Sequence, residues 1–216
     1  MSQLRYSTSM SLDGFVAGPN QSTENPLGIR GELLHKWMRE LAVWRTMVGL
    51  KGGEVNASAA VIEREDDNIG AIIMGRNMFG GGPGPWPQEP WNGWWGENPP
   101  FHLPVVVLTH YSRDVLEREG GTTFTFVTDG LDSALQIAKG HAKGLDIAIS
   151  GGAGVAQQFI AAGLVDEIMI HLVPVLLGEG VRLFDDVAMT SIALDQVNVV
   201  EAPGVTHLTY RASRSQ

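Results

Sequence analysis

The densest chemical signal in the chain is Ile149-Ser150-Gly151-Gly152-Ala153-Gly154. A strand-like run ends there on glycines and a helical pattern follows. Bare backbone N–H groups and the positive end of a helix dipole would then face one point, which suits a phosphate or pyrophosphate. A tight strand-to-helix turn without a ligand uses the same glycines. Neither common nucleotide fingerprint is met: Gln157 stands where G-x-G-x-x-G needs its third glycine, and no Walker A pattern occurs. The turn also holds Ala148-x-Ser150-x-Gly152, one residue away from the nucleophile elbow of serine hydrolases. Asp185 and His207 follow in triad order, yet only 66 residues come after Ser150, few for the remainder of a hydrolase sheet.

Two other segments have matching chemistry. Gly75-Arg76-Asn77 follows the buried run AIIMG, and an Arg at a strand end can clamp a phosphate bidentately. On its own it reads better as a surface Arg at a solvated helix start. Thr109-His110 closes the apolar run VVVLTH in the same way. Ligands of open α/β sheets bind at the carboxyl ends of parallel strands, so three phosphate-compatible ends argue for a ligand better than any one of them. The six histidines show no metal-ligand spacing, and Trp37 and Trp44 fall on the apolar face of a helical pattern, as core residues do.

The elements that must position these residues can be read from periodicity. Strands are expected at 4–12, 71–75, 105–110, 122–127, 146–150 and 167–177, the last interrupted at Pro174, with a terminal hairpin of 192–201 and 205–211 about Pro203-Gly204. Helical spacing covers 32–48, 54–66, 131–143 and the face Val155, Ala156, Phe159, Ile160. Strands separated by helices predict an α/β fold, with a mostly parallel sheet and an antiparallel edge. No linker or repeat interrupts residues 1–216, which read as one domain. The stretch 80–104 carries four of the six tryptophans among Gly and Pro and predicts an ordered, packed flap.

Composition excludes several classes. A net charge of −9 lacks the basic footprint of nucleic-acid or anionic-membrane binding. No apolar run reaches the ~20 residues of a membrane span. With no cysteine, neither a disulfide framework nor a thiolate nucleophile is possible. The N-terminus lacks the pattern of a signal peptide, so a cytoplasmic globular protein is expected.

SMSLDGFVAG, IIMGRNMF, VVVLTH, ISGGAGVAQQF and DEIMIHLVPVLLGEGVRLF, in this order, resemble the dihydrofolate-reductase-like superfamily. The nearest branch is the one related to the C-terminal reductase domain of the riboflavin-pathway deaminase-reductase. The match runs from about residue 4 to 210. The resemblance implies a three-layer sandwich about a mostly parallel eight-stranded sheet, NADPH as hydride donor and often a homodimer. The substrate it implies is a small heterocycle or carbonyl compound, pterin-like or of the 5-amino-6-(5-phosphoribosylamino)uracil type. It places Gly75, Arg76, Asn77 and Met78 at the cofactor phosphates and Thr109 and His110 at the adenosine 2′-phosphate. Gly151, Gly152, Ala153, Gly154 and Val155 fall at the nicotinamide and pyrophosphate. Asp13 and Gly14 fall in the loop over the nicotinamide, with Asp13 and Trp37 toward the substrate.

Departures from that pattern are visible. Dihydrofolate reductases carry a carboxylate three residues before the tryptophan, where this chain has Leu34. Met78 replaces a hydroxyl-bearing residue of the phosphate-binding helix. Asp13, Glu32 and His35 are the remaining candidates for the proton donor. A dinucleotide-binding module without turnover, and a serine hydrolase using Ser150, are the competing readings.

Overall fold

A computed structural model describes residues 2–89, 91–185 and 192–214. Eleven strands occur in chain order: β1 Leu4–Ser11, β2 Phe15–Ala17, β3 Ile69–Gly75, β4 Pro104–Leu108, β5 Leu116–Glu117, β6 Thr123–Val127, β7 Asp146–Ile149, β8 Glu167–Val173, β9 Val181–Arg182, β10 Ile192–Ala202 and β11 Val205–Arg214. The helices are α1 Lys36–Arg39, α2 Ala42–Met47, α3 Ala57–Asp66, α4 Arg76–Phe79, α5 Leu131–Ala142 and α6 Ala153–Ala161. The chain packs as two compact units, one of residues 1–6 and 68–165, the other of 7–67 and 166–216. Strand β1 contributes to both.

In the first unit the strand order is β1-β7-β3-β4-β6-β5. Every neighbouring pair is parallel except β6 with β5. Strand β3 reads Ile-Gly-Ala-Ile-Ile-Met-Gly and is buried from Gly70 to Gly75, as a parallel strand covered on both faces must be. Ile72, Met74, Phe79, Val105, Val107 and Phe124 form its core cluster, none more than 8% exposed. Helix α5 buries Ala134, Leu135, Ala138 and Ala142 at i, i+1, i+4 and i+8, which accounts for its amphipathic sequence.

The second unit is antiparallel where its pairings are defined, with the order β10-β11-β8-β1. A small ribbon of β2 with β9 lies apart from that sheet. Phe15, Leu34, Trp37, Leu41, Val173, Leu177 and Val205 form its core. The α/β class expected from the sequence is therefore the one found, with parallel strands and an antiparallel edge.

One local expectation needs correction. The single helix predicted over 32–48 is a 3-10 turn (Gly31–His35) followed by α1 and α2, broken at Glu40-Leu41. Leu41 is fully buried and extended, with φ −72° and ψ 141°. Ala42 N–H donates to Glu54 O and Glu54 N–H to Glu40 O, each at 2.8 Å, and this bridge replaces the helical bonds. The interruption expected at Pro174 is found: β8 ends at Val173, because Pro174 has no N–H for the ladder. The short β2, β5 and β9 carry too few residues for a period to show.

Candidate functional site

The phosphate-compatible residues all lie in the first unit. Strand β7 ends at Ile149, Ser150 N–H donates to Ile73 O at 2.9 Å, and Gly75 N–H donates to Gly151 O at 2.8 Å. The ends of β7 and β3 are thus tied together at the glycine turn. The Gly151–Gly152 peptide is cis, and Gly151 holds φ +107°, a conformation that glycine adopts without cost. Gly75 is a packing glycine, since a Cβ there would meet Val155 Cγ2 at 2.6 Å. Gly152 and Gly154 differ: a Cβ on either would meet nothing within 4 Å. The turn therefore has an open cradle at the start of α6.

The first amides of a helix have no intrahelical acceptor. Here Val155 N–H already donates to Gly152 O at 3.1 Å, which leaves Ala153 and Gly154 as the donors facing outward. Gly152 is the cap residue of α6 and has no side chain to satisfy them.

Arg76 opens the single turn α4. Its Nε donates to Gly80 O at 3.1 Å and its Nη2 to Gly81 O at 3.2 Å. Its guanidinium stacks on Trp86, 3.2 Å from the ring centroid. Nη1 is buried and has no hydrogen-bond partner among the described residues. Such an atom costs free energy unless something accepts from it. Nε and one N–H of Nη2 are thus engaged, which leaves Nη1 as the buried nitrogen without a partner among the described residues. Burial, with Arg113 close by, lowers the guanidinium pKa from its ordinary value.

The flap 80–104 holds this turn together. Trp91 Nε1 donates to Phe79 O at 2.8 Å and Trp94 Nε1 to Met78 O at 3.0 Å, capping carbonyls that α4 leaves free. Trp86 Nε1 donates to Tyr111 O at 3.0 Å, and Arg113 lies 4.9 Å from the Trp86 centroid. The tryptophans are packing pieces of an ordered loop, as their number suggested. Asn77 is exposed and Met78 half-buried. Thr109 is 8% exposed and its Oγ1 accepts from Tyr111 N–H at 3.3 Å, whereas His110 is exposed.

The sequence-nominated proton donors lie in the second unit and behave differently from one another. Asp13 accepts from Ser11 Oγ (2.5 Å), Leu177 N–H (3.2 Å) and Gly178 N–H (2.7 Å). The Ser11 bond, with the two backbone amides, outweighs desolvation and holds its carboxyl at about 2. Asp13 is an ionised clamp on the 177–178 turn. Glu32 is exposed on the 3-10 turn. His35 is half-buried; burial, Arg39 and His171 push its imidazole down to about 4, so it is neutral at pH 7.

Trp37 is 6% exposed, and its Nε1 donates to Ser9 Oγ at 3.3 Å. Its ring packs 4.9 Å from His171 and 5.0 Å from His207. Beneath it lies a hydrogen-bonded chain that sequence reasoning missed. Glu65 Oε1 lies 2.8 Å from His171 Nε2, His171 Nδ1 lies 2.7 Å from His207 Nδ1, and His207 Nε2 lies 2.8 Å from Ser58 Oγ. Ser7 Oγ donates to Glu65 at 2.7 Å. The only trace in the sequence is a histidine interrupting each of two apolar strands, IMIHLV and VTHLTY. What unites them is register, since His171 and His207 are directly opposed in the β8–β11 pairing.

This chain also corrects the hydrolase reading. Both ring nitrogens of His207 are engaged by His171 and Ser58, and Asp185 lies beside Arg182 at 4.0 Å. No Ser150 triad forms. Among the described residues no cluster of His, Asp or Glu could hold a metal, and no helix is long and apolar enough to cross a membrane.

The sequence pattern of the RibD C-terminal domain family matches residues 2–208. The chain belongs to that family. It is 44% identical over 150 residues to the uncharacterized protein YyaP of Bacillus subtilis (strain 168), covering 67% of this chain and 74% of YyaP. Among solved structures, a putative riboflavin biosynthesis protein from Shewanella sp. PV-4 is 23% identical, with a TM-score of 0.61 over 99% of this chain and 100% of that one. Dihydrofolate reductase from Enterococcus faecalis, solved with NADP(H), is 14% identical, with a TM-score of 0.53 over 97% and 96%. This RibD C-terminal domain has the dihydrofolate-reductase-like fold that its motifs predicted.

Proposed function

We propose that this member of the RibD C-terminal domain family, an oxidoreductase by that membership, reduces a small heterocyclic or carbonyl substrate with NADPH. The substrate we favour is of the 5-amino-6-(5-phosphoribosylamino)uracil type, the compound in the name of a Thermotoga maritima protein of the same fold. The observation that carries the cofactor reading is the buried Arg76 Nη1, which lacks a partner one residue from the tied ends of β3 and β7. A phosphate is an acceptor that would satisfy it.

The residues present fit the cofactor. Arg76, Asn77 and Met78, with the Gly75 turn, would hold its phosphates. The Gly151-Gly152 cradle and the Ala153 and Gly154 amides of α6 would take the pyrophosphate, with Val155 closing the turn. Thr109 and His110 would meet the 2′-phosphate, His110 as the exposed donor. The nicotinamide supplies hydride when bound. Asp13 would act on the substrate as a fixed anion and not as an acid, because its hydrogen bonds hold it ionised. Trp37 would supply an apolar contact.

We further infer cytoplasmic work, where reduced dinucleotide is the cosubstrate, and a homodimer. Edge strand β10 supports the latter, with Leu194, Val197 and Val199 each more than 40% exposed. The net charge of −9 argues against a nucleic-acid partner.

A fluorescence titration with NADPH and NADH, followed by NADPH oxidation at 340 nm with pterins, pyrimidine-ribityl compounds and quinones, tests the reading. Micromolar binding of neither dinucleotide would overturn it. Binding without turnover of any compound would favour a non-catalytic dinucleotide module.

A further inference from the structure

Reduction of a C=N or C=O bond needs a proton as well as a hydride, and two of the sequence-nominated donors, Asp13 and His35, do not offer one near pH 7. Asp13 is ionised by its three donors and His35 is neutral. The acid position of dihydrofolate reductases is Leu34, which is fully buried. The Glu65–His171–His207–Ser58 chain has a property that the other groups lack.

Two Nδ1 atoms at 2.7 Å must share one hydrogen. With none, two lone pairs face each other; with two, N–H opposes N–H. One hydrogen there permits two states of the whole chain. In the first, Glu65 is ionised and both rings are neutral. Ser58 then donates to His207 Nε2, His207 Nδ1–H to His171 Nδ1, and His171 Nε2–H to Glu65. In the second, a proton has entered at His207 Nε2 and the Nδ1 hydrogen has moved across to His171. His171 is then an imidazolium paired with Glu65, and His207 donates to Ser58 Oγ. Every ring nitrogen keeps a partner in both states, so the chain loads and unloads one proton without leaving a buried group unsatisfied.

The surroundings favour that capacity. His207 is 1% exposed and lines a groove of about 310 Å³ that includes Arg64, Ala57, Asn198 and Thr209. Of the charged groups facing the pair, α3 provides Glu65 and Arg64, the latter 3.4 Å from Glu167 of β8. The 3-10 turn provides His35, with Arg39 of α1 acting on it; β10 offers only the neutral Asn198 and Val200 to the groove. Burial and His171, against the opposing pull of Glu65, lower His207 to about 4. Burial raises the Glu65 carboxyl, but its bonds to His171 and Ser7 outweigh that and leave it below its ordinary value.

At the other end, Ser7 Oγ lies 2.9 Å from His171 Nε2 as well as 2.7 Å from Glu65. Ser7, Ser9 and Ser11 alternate along β1 and so share one face. Ser9 bonds Trp37 and Ser11 bonds Asp13. A proton leaving through Ser7 emerges on the face that carries both residues assigned to the substrate.

We propose that Glu65, His171 and His207 form a buried one-proton store whose proton is the one consumed by the reduction. This rests on the reductase reading above. As hydride adds to the substrate carbon, the π electron pair moves onto the heteroatom, which takes the proton. His171 gives up its Nε2 proton through Ser7 and returns from imidazolium to imidazole with its hydrogen on Nδ1, Ser7 Oγ then donating to Nε2. The next proton returns to His171 Nε2 at the same Ser7 and Glu65 end.

Histidine labelled with nitrogen-15 tests the store without any substrate. In the wild-type protein, NMR should show scalar coupling between the two Nδ1 atoms and uptake of a single proton by the pair. Glu65→Gln keeps the shape and removes the anion, and should move that uptake down by one pH unit or more, a tenfold loss of proton affinity. With NADPH and 5-amino-6-(5-phosphoribosylamino)uracil, the same variant should lose at least tenfold in kcat at pH 7.5 with KM for NADPH unchanged. Absent coupling, or independent titration of the two rings, overturns the store; this wild-type result stands even if the variant misfolds. An unchanged kcat–pH profile in Glu65→Gln overturns its part in the reaction. A wild type that binds no dinucleotide or reduces nothing sinks the reductase reading instead, and leaves the store to the coupling alone.

Discussion

The guanidinium of Arg76 sits 3.2 Å above the ring of Trp86, and Arg113 approaches the same ring at 4.9 Å. One indole thus separates two cations and fixes the direction of Arg76. Trp86→Ala removes that platform along with contacts to Phe79 and Phe126. It should cost about 2–3 kcal/mol in a urea melt. Trp86→Phe should recover most of the loss, and full recovery of stability by Ala alone would show that the stack contributes nothing.

Arg76→Ala removes the buried Nη1 donor that has no partner among the described residues. Because Arg76 begins α4 beside the glycine turn, its phosphate should belong to the pyrophosphate. NADPH and NADH should therefore weaken alike, by on the order of tenfold, about 1.4 kcal/mol. A loss confined to NADPH in paired fluorescence titrations would assign Arg76 to the 2′-phosphate.

Gly151 and Gly152 are separable by conformation. Gly152 has φ −72° and open space around a Cβ. Gly152→Ala should leave the apo protein within about 0.5 kcal/mol of wild type while weakening NADPH tenfold or more, because the Cβ fills the cradle. Gly151→Ala, at φ +107°, should destabilise the apo protein by about 1–2 kcal/mol. Calorimetry with and without NADPH distinguishes the two outcomes.

Asp13 links the 177–178 turn to pH. Its folded-state pKa of about 2 lies below the ordinary 3.8, so the stabilisation is complete above the ordinary value and lost as pH falls from there through 2. Asp13→Asn should flatten the fall in melting temperature across that window. An equally steep fall in the variant would assign the acid sensitivity to other groups.

His35 and His207 act in a higher window. Both have folded-state values near 4 against an ordinary 6.5, so the unfolded chain binds more protons between them. Stability should be full above pH 6.5 and decline toward pH 4. Partial exposure of His35 limits its share to roughly 1–2 kcal/mol. His35→Asn should remove part of that decline in melts at pH 7 and pH 4.5.

The parallel core was readable because β3, β4 and β7 are short apolar runs ending on Gly75, Thr109 and the Gly151 turn, and burial on both faces leaves that pattern. The flap was readable as ordered from its tryptophans. The break at Leu41 was not, because a leucine buried by a bridge to Glu54 has the same spacing as one buried by a helix. Glu65, His171 and His207 were invisible for a related reason. Their chemistry comes from a register joining residues far apart in sequence, and no local period encodes which strand faces which. Arg76 was legible as a candidate, but its two bonds to Gly80 and Gly81, and hence which of its nitrogens lacks a partner among the described residues, depend on how the flap folds back.

The second unit joins residues 7–67 to residues 166–216, with the first unit's 68–165 between them. On the ribosome, Trp37 and Leu34 therefore emerge well before Val173 and Val205, which complete their core. At ~5–20 residues per second the wait is roughly 7–35 s. During that time β3 to β7 can assemble on their own, while the Trp37 face stays open to chaperones or to a neighbouring nascent chain. Slow translation after residue 67 would lengthen that exposure, whereas a pause after β11 would come too late to matter.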